Sequence, residues 1–242
     1  LFSTSKTKQA RRSSTSLKLE LLRLEDRITP SNYPILVTTN LNSGIGSLNA
    51  AITLANTTPG DDIIDFAFSS GTNPYTIALS TFLPSISDAS SAVTGGFAGN
   101  VTINGLGASS LNISANGGNF SVFNINTGGV LTISGVTVSG ANVSGNAGGF
   151  NNLGTLTINN STITGNTAFN GGGIYNNGGT LIVSGSTISG NSASFTNAAS
   201  PSTLNGGSGG GIYSKSGSTS ITNSIISGNF ASLTNSGTVT GT

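Results

Sequence analysis

A block of alternating apolar residues recurs at a fixed interval along the second half of this chain. VLTISGVTVSGA begins at Val130, TLTINNSTITGN at Thr155 and TLIVSGSTISGN at Thr180, so the three starting positions are evenly spaced. A fourth, STSITNSIISGN, begins at Ser218 after a longer step. The extra length falls in residues 192–208, which stand where the preceding copy has only residues 167–170, so one repeat carries an inserted loop. A looser copy covers residues 101–116, with Ile113 and Asn116 matching Ile163 and Asn166. Repeats of this length point to a solenoid or a propeller.

What one repeat contains decides between them. The runs Leu131-Thr132-Ile133, Leu156-Thr157-Ile158 and Leu181-Ile182-Val183 alternate with period two and are rich in β-branched residues, which predicts strands. The same alternation argues against low-complexity disorder in a segment otherwise rich in Gly, Ser, Thr and Asn. Each unit reads as a strand over residues 156–158, a corner at Asn159 and Asn160, and a strand over 161–164. A Gly165-Asn166 corner and a short strand at Ile174 and Tyr175 complete it. A propeller blade needs four antiparallel strands and about 40 residues or more. The spacing therefore predicts an all-β fold, a right-handed parallel β-helix of about 25 residues per coil.

In such a fold equivalent residues lie above one another at about 4.8 Å. The expected interior columns are Leu131, Leu156 and Leu181; Ile133, Ile158, Val183 and Ile221; and Val138, Ile163, Ile188 and Ile226. Asn166, Asn191 and Asn229 form an expected corner column whose amides can hydrogen-bond along the axis. Phe150, Tyr175 and Tyr213 form an expected aromatic column, read as structural stacking rather than ligand binding. Outside, Thr137, Ser139, Thr162, Thr164, Thr187 and Ser189 put pairs of hydroxyls on one face at the coil spacing. Such a ladder can match an ordered ligand such as a glycan or ice, although solvated threonine is commoner on strands.

Charge divides the chain. Ten of its fifteen charged residues lie in the first 27 positions, and Asp61, Asp62, Asp65 and Asp88 follow. From Ala89 to the end Lys215 alone is charged. The division is a charged leader over residues 1–34, a cap with first coils over 35–99, and coils over 100–242 that are expected to continue further. In the leader Leu17, Leu21, Leu24 and Ile28 make a helical stripe. No segment has the apolar length of a membrane span, so no transmembrane segment is expected. A short capping helix is predicted after Ser47, with Leu48, Ala51, Ile52 and Ala55 on one face and residues 57–60 as the stop. Ile64, Phe66 and Phe68 then alternate as a buried strand, with Asp61, Asp62 and Asp65 at corners and a solvated edge.

These residues resemble a known family. Residues 154–193, with Gly172-Gly173-Ile174-Tyr175 and later Gly210-Gly211-Ile212-Tyr213, are similar to the repeats of right-handed parallel β-helix proteins of bacterial surfaces. The polymorphic outer membrane proteins with their GGAI-like units are among them. Residues 42–66 resemble the N-terminal cap of the same large secreted proteins, with Asn49 where an Arg is usual. Leu24-Glu25-Asp26-Arg27 resembles an LEDR-type N-terminal motif of large bacterial surface proteins. The resemblance implies export to the cell surface or outside, and marks fold rather than activity.

Composition narrows the function. The chain has no His and no Cys, hence no imidazole base, thiolate nucleophile or disulfide, and no N/S metal ligand. A net charge of +1 offers no footprint for nucleic acid. Glycosidases need two carboxyl groups across a cleft, and lyases a base with an anion stabiliser. No carboxylate follows Asp88, and three aspartates fall short of a Ca²⁺ shell. The expectation is a non-enzymatic, adhesin-like surface protein with no metal or cofactor, presenting a neutral lateral face to an unidentified surface ligand, for which a glycan is one candidate. The alternative is the N-terminal part of a carbohydrate-active β-helix with catalytic residues downstream.

Overall fold

The computed structural model describes residues 34–58, 60–69, 71–87, 98–197 and 207–235. The leader other than Pro34, and residues 198–206 of the inserted loop, lie outside them. The chain opens with strand β1 (Ile35–Val37) and helix α1 (Leu48–Ala55), followed by β2 (Gly60–Phe66) and β3 (Tyr75–Ala78). Next come β4 (Ala98–Asn104), β5 (Leu111–Ser114) and β6 (Phe123–Ile125), then β7 (Val130–Ser134), β8 (Thr137–Ser139) and β9 (Phe150–Asn152). The third group is β10 (Thr155–Asn159), β11 (Thr162–Thr164) and β12 (Thr167–Ala168). The last two are β13 (Ile174–Ser184), β14 (Thr187–Ser189) and β15 (Ser192–Asn197), and β16 (Ile212–Thr222), β17 (Ile225–Ser227) and β18 (Phe230–Asn235).

Among the described residues every strand pair is parallel, and the strands form three sheets. One runs β1-β2-β4-β7-β10-β13-β9-β6 with β16 also on β13, the second β17-β14-β11-β8-β5-β3, and the third β12-β15-β18. Register follows the sequence repeat: Leu156 lies between Leu131 and Leu181, and Ile163 between Val138 and Ile188. Alternate residues point inward, so Leu131, Ile133, Val138, Leu156, Ile158, Ile163, Leu181, Val183 and Ile188 join one core with α1. Each such side chain contributes roughly 1.5–3 kcal/mol by leaving water.

The repeat differs from expectation in its third part. Ile174 and Tyr175 are not a separate short strand but the start of β13, which bends at Gly178 and runs on into the next block. Thr167 and Ala168 supply the third sheet instead. The inserted segment starts as a strand, since β15 pairs with β18 along its whole length.

Both corners before and after the second sheet share one device. Gly135, Asn160, Gly185 and Asn223 have φ between 46° and 62°, and Gly140, Gly165, Gly190 and Gly228 between 59° and 73°. That left-handed turn is cheap for Gly and tolerable for Asn, which is why those two types alternate there. Gly149, Gly173 and Gly211 serve another need: a Cβ on Gly173 would lie 2.5 Å from the Gly211 carbonyl oxygen. Only a bare backbone lets the strands pack there.

One expected column needs correction. Phe150 is in register with Ile174, not Tyr175, because the step between them is one position shorter than the step from Leu156 to Leu181, and the extra residue enters at residues 177–179. The aromatic column therefore splits: Phe150 stacks inside on Phe123, with centroids 5.3 Å apart, and Tyr175 on Tyr213 at 5.6 Å. Ile221 and Ile226 occupy their columns, opposite Val183 and Ile188, but are 39% and 49% exposed. Among the described residues no strand stacks beyond them. Asn116, matched in sequence to the buried Asn166, is exposed with φ 51°.

The helix predicted after Ser47 is present and buries its apolar face. Ser47 caps α1, its hydroxyl oxygen accepting from the Ala50 amide at 3.2 Å, and Leu48, Ala51, Ile52 and Ala55 are buried. Ile64 and Phe66 are buried on β2, while Phe68 is half-buried against Tyr75. Asp62 does not lie at a solvated edge. It alternates with Ile64 and Phe66 and so points inward, 7% exposed.

Candidate functional site

The predicted hydroxyl face is assembled on the second sheet. Strands β8, β11 and β14 align Thr137, Thr162 and Thr187 in one column, and Ser139, Thr164 and Ser189 in another. Each is half-buried, flanking an inward Val or Ile. Strand geometry sets the grid: about 4.8 Å between strands and about 6.6–6.8 Å between columns.

The six hydroxyls are not equivalent. Thr137 donates to the Ala108 carbonyl at 2.7 Å and Ser139 to the Asn112 side chain at 2.8 Å. Among the described residues the hydroxyls of Thr162, Thr164, Thr187 and Ser189 have no protein partner. The face thus narrows to a two-by-two array that can both donate and accept. Asn112 and Ser114 continue the columns on one side, Ile225 and Ser227 on the other. The exposed Ile225 ends the polar run of its column.

Sequence reasoning missed a second outward face. On the nine-stranded sheet Thr102, Thr132 and Thr157 stack in register, followed by the exposed Ile182. The signal was present, because every residue between two buried apolar ones in the repeat must point out. It also missed a ladder of serines at one corner, buried at Ser161 and Ser186 and half-buried at Ser224. The Ser161 amide donates to Ser186 Oγ and the Ser186 amide to Ser224 Oγ, both at 3.1 Å.

The asparagine column behaves as predicted. Asn166 Nδ2 donates to Asn191 Oδ1, and Asn191 Nδ2 to Asn229 Oδ1, each at 3.0 Å. Backbone amides of Asn166 and Asn191 donate to the same oxygens. These side chains satisfy corner groups that strand pairing leaves open. Asn152 and Asn176 form a further pair at 2.8 Å, leaving Asn152 Oδ1 buried without a partner because Ile125 stands next in the column.

Asp61, Asp62 and Asp65 do not converge on one site. Asp61 Oδ1 accepts from the backbone and side chain of Asn100 at 2.9 and 3.0 Å, and Asp65 Oδ1 from Asn104 at 3.0 Å, on the outer face of β2. Asp62 lies on the opposite face and accepts from the Thr58 hydroxyl at 2.8 Å. Burial pushes its carboxyl above the ordinary value, with Asp61 adding to the rise and the Thr58 hydrogen bond opposing it. Lys215 is exposed on β16. None of these groups adjoins the hydroxyl array, and among the described residues no base stands beside its Ser and Thr oxygens. Hydrogen bonding is the chemistry this face offers. The chain matches no family model, no curated protein and no solved structure.

Proposed function

We propose that the chain is a right-handed parallel β-helix of a secreted or cell-surface protein, related to the polymorphic outer membrane type of repeat, and that it acts as an adhesin-like binding surface rather than an enzyme. The observation that carries this reading is the two-by-two array of Thr162, Thr164, Thr187 and Ser189, whose hydroxyls are in register and unpaired within the described protein. The parallel pairing at the sequence period supports the solenoid, and the neutral faces support a ligand that is itself neutral and repetitive, a glycan foremost. Single contacts of this kind are weak and add up by multivalency.

The test is binding of the full chain to glycan arrays and to cells, beside assays for reducing sugars and unsaturated products on plant and bacterial polysaccharides. Saturable binding that Thr162→Lys with Thr187→Lys abolishes, without turnover, is the expected result. Turnover of any polysaccharide would overturn the reading in favour of a carbohydrate-active protein. Binding indifferent to both lysines would move the site to another face.

A further inference from the structure

The outer face of the nine-stranded sheet is broader than the array on the second sheet. Strands β7 and β10 pair over five residues without a slip, as do β10 and the second half of β13, against three-residue pairings among β8, β11 and β14. Each of these longer strands turns three side chains outward rather than two. Thr132 and Thr157 hold the middle column, continued by Thr102 on β4. Thr155 stands between Val130 and Thr180 in one flanking column, and Asn159 between Ser134 and Ser184 in the other. Among the described residues the hydroxyls of Thr102, Thr132, Thr155 and Thr157 have no protein partner. All four residues are half-buried rather than buried, so solvent reaches them.

We propose that this face binds the surface of ice. Spacing argues for it first. Strands lie about 4.8 Å apart and alternate residues along a strand about 6.6–6.8 Å apart, in directions close to perpendicular. The oxygens on the prism face of hexagonal ice repeat in two perpendicular directions at nearly these distances. Unpaired hydroxyls, each able to donate and accept, can stand in for waters of that lattice. The threonine methyl groups between them restrict the orientation of the adjoining water.

Charge argues for it next. Ice is a neutral lattice, and a fixed charge turns the neighbouring waters toward itself. No charged residue lies on β4, β7, β10 or β13, which adjoin one another. Asp61 and Asp65 lie on β2 beyond one side of this neutral field, and Lys215 on β16 beyond the other. Rigidity completes the case. The inward neighbours Leu131, Ile133, Leu156 and Ile158 are fully buried, so the grid is fixed before it meets a ligand and little ordering is left to lose. Contacts that are weak singly hold when many form together. This face lies on a different sheet from the array of Thr162 and Thr187, and the proposal stands without that array.

The test freezes a solution of the full chain slowly into ice, measures how much protein the ice takes up, and records the shape of crystals held just below melting. The parent should enter the ice, and crystals grown in it should be faceted and arrested in growth. Thr157→Lys, an outward change, should lose both effects, and Thr132→Lys should lose them from the neighbouring strand. Thr53→Lys, exposed on helix α1 and part of neither sheet, should keep both. A parent chain left behind in the liquid would overturn the proposal. Uptake that survives both Thr157→Lys and Thr132→Lys would overturn it too, as would uptake lost in Thr162→Lys with Thr187→Lys but kept in Thr157→Lys, which places ice on the second sheet. Urea melts matching the parent show that each variant is folded. Sugar binding enters none of these measurements, so the glycan and ice proposals fail separately.

Discussion

Ile188 and Ile226 occupy the same column, in the same Ile-Ser-Gly-Asn context, and pair directly across β14 and β17, yet one is fully buried and the other 49% exposed. Asn191 and Asn229 repeat the contrast, buried in one repeat and not in the next. The difference teaches that burial here belongs to the neighbour, not to the residue. β17 covers β14, whereas the residues after Asn235 lie outside those described, so the exposure of Ile226 is its exposure among the described residues.

The largest expected effect exploits this contrast. Ile188→Asp forces an unpaired charge among buried aliphatics and should cost about 4 kcal/mol or more, or prevent folding. Thr187→Asp, on the outward face of the same strand, should cost under about 1 kcal/mol. Equal costs in urea melts would break the comparison. The asparagine ladder sharpens it at a lower level. Asn191→Ala strips partners from the Ile163 carbonyl, the Asn166 amide and Asn229 at once, and should cost about 2–3 kcal/mol, against about 0.5 kcal/mol or less for the outward Thr164→Ala. Similar losses at both positions would show that the asparagine ladder adds nothing beyond an ordinary outward side chain.

At the closed end the effects are smaller. Ser47→Ala removes the hydrogen bond to the Ala50 amide and should lower stability by about 1 kcal/mol, read from the same melts. Asp62 adds a pH dependence of defined sign. Its folded pKa lies above the ordinary 3.8, so the folded state holds the proton more tightly than the unfolded chain does. Its contribution is therefore most favourable below the ordinary value and is lost as pH rises through the folded one. Asp62→Asn should flatten that decline, leaving the variant relatively more stable toward neutral pH. A difference between variant and parent that does not change with pH would contradict the inward placement of this carboxyl.

Much of this was legible from residue spacing. Ser47 with Leu48, Ala51, Ile52 and Ala55 announced a capped amphipathic helix, because cap chemistry and a helical apolar period are local properties. Leu156-Thr157-Ile158 and its copies announced both the strands and their register, because a repeat stacked in register must keep its inward positions aligned. The hydroxyl pairs and the asparagine column followed from the same arithmetic. Asp62 did not, since an acidic residue in DDIID is assigned outward on chemistry alone, whereas the pleat places it with Ile64 and Phe66.

What the sequence by itself determined, then, is everything that the period carries: parallel strands, their partners, and which side chains share a column. Tertiary structure decided where the period slips and what lies above each residue. The one-position slip that pairs Phe150 with Ile174 depends on how much chain the turn at residues 177–179 absorbs, which only strand pairing reveals. The inward turn of Asp62 and the freedom, among the described residues, of four hydroxyls among six depend on what packs against each group. Alternation is encoded residue by residue along the chain, whereas burial and hydrogen-bond saturation are properties of contacts between repeats, and these exist only once the sheets have formed.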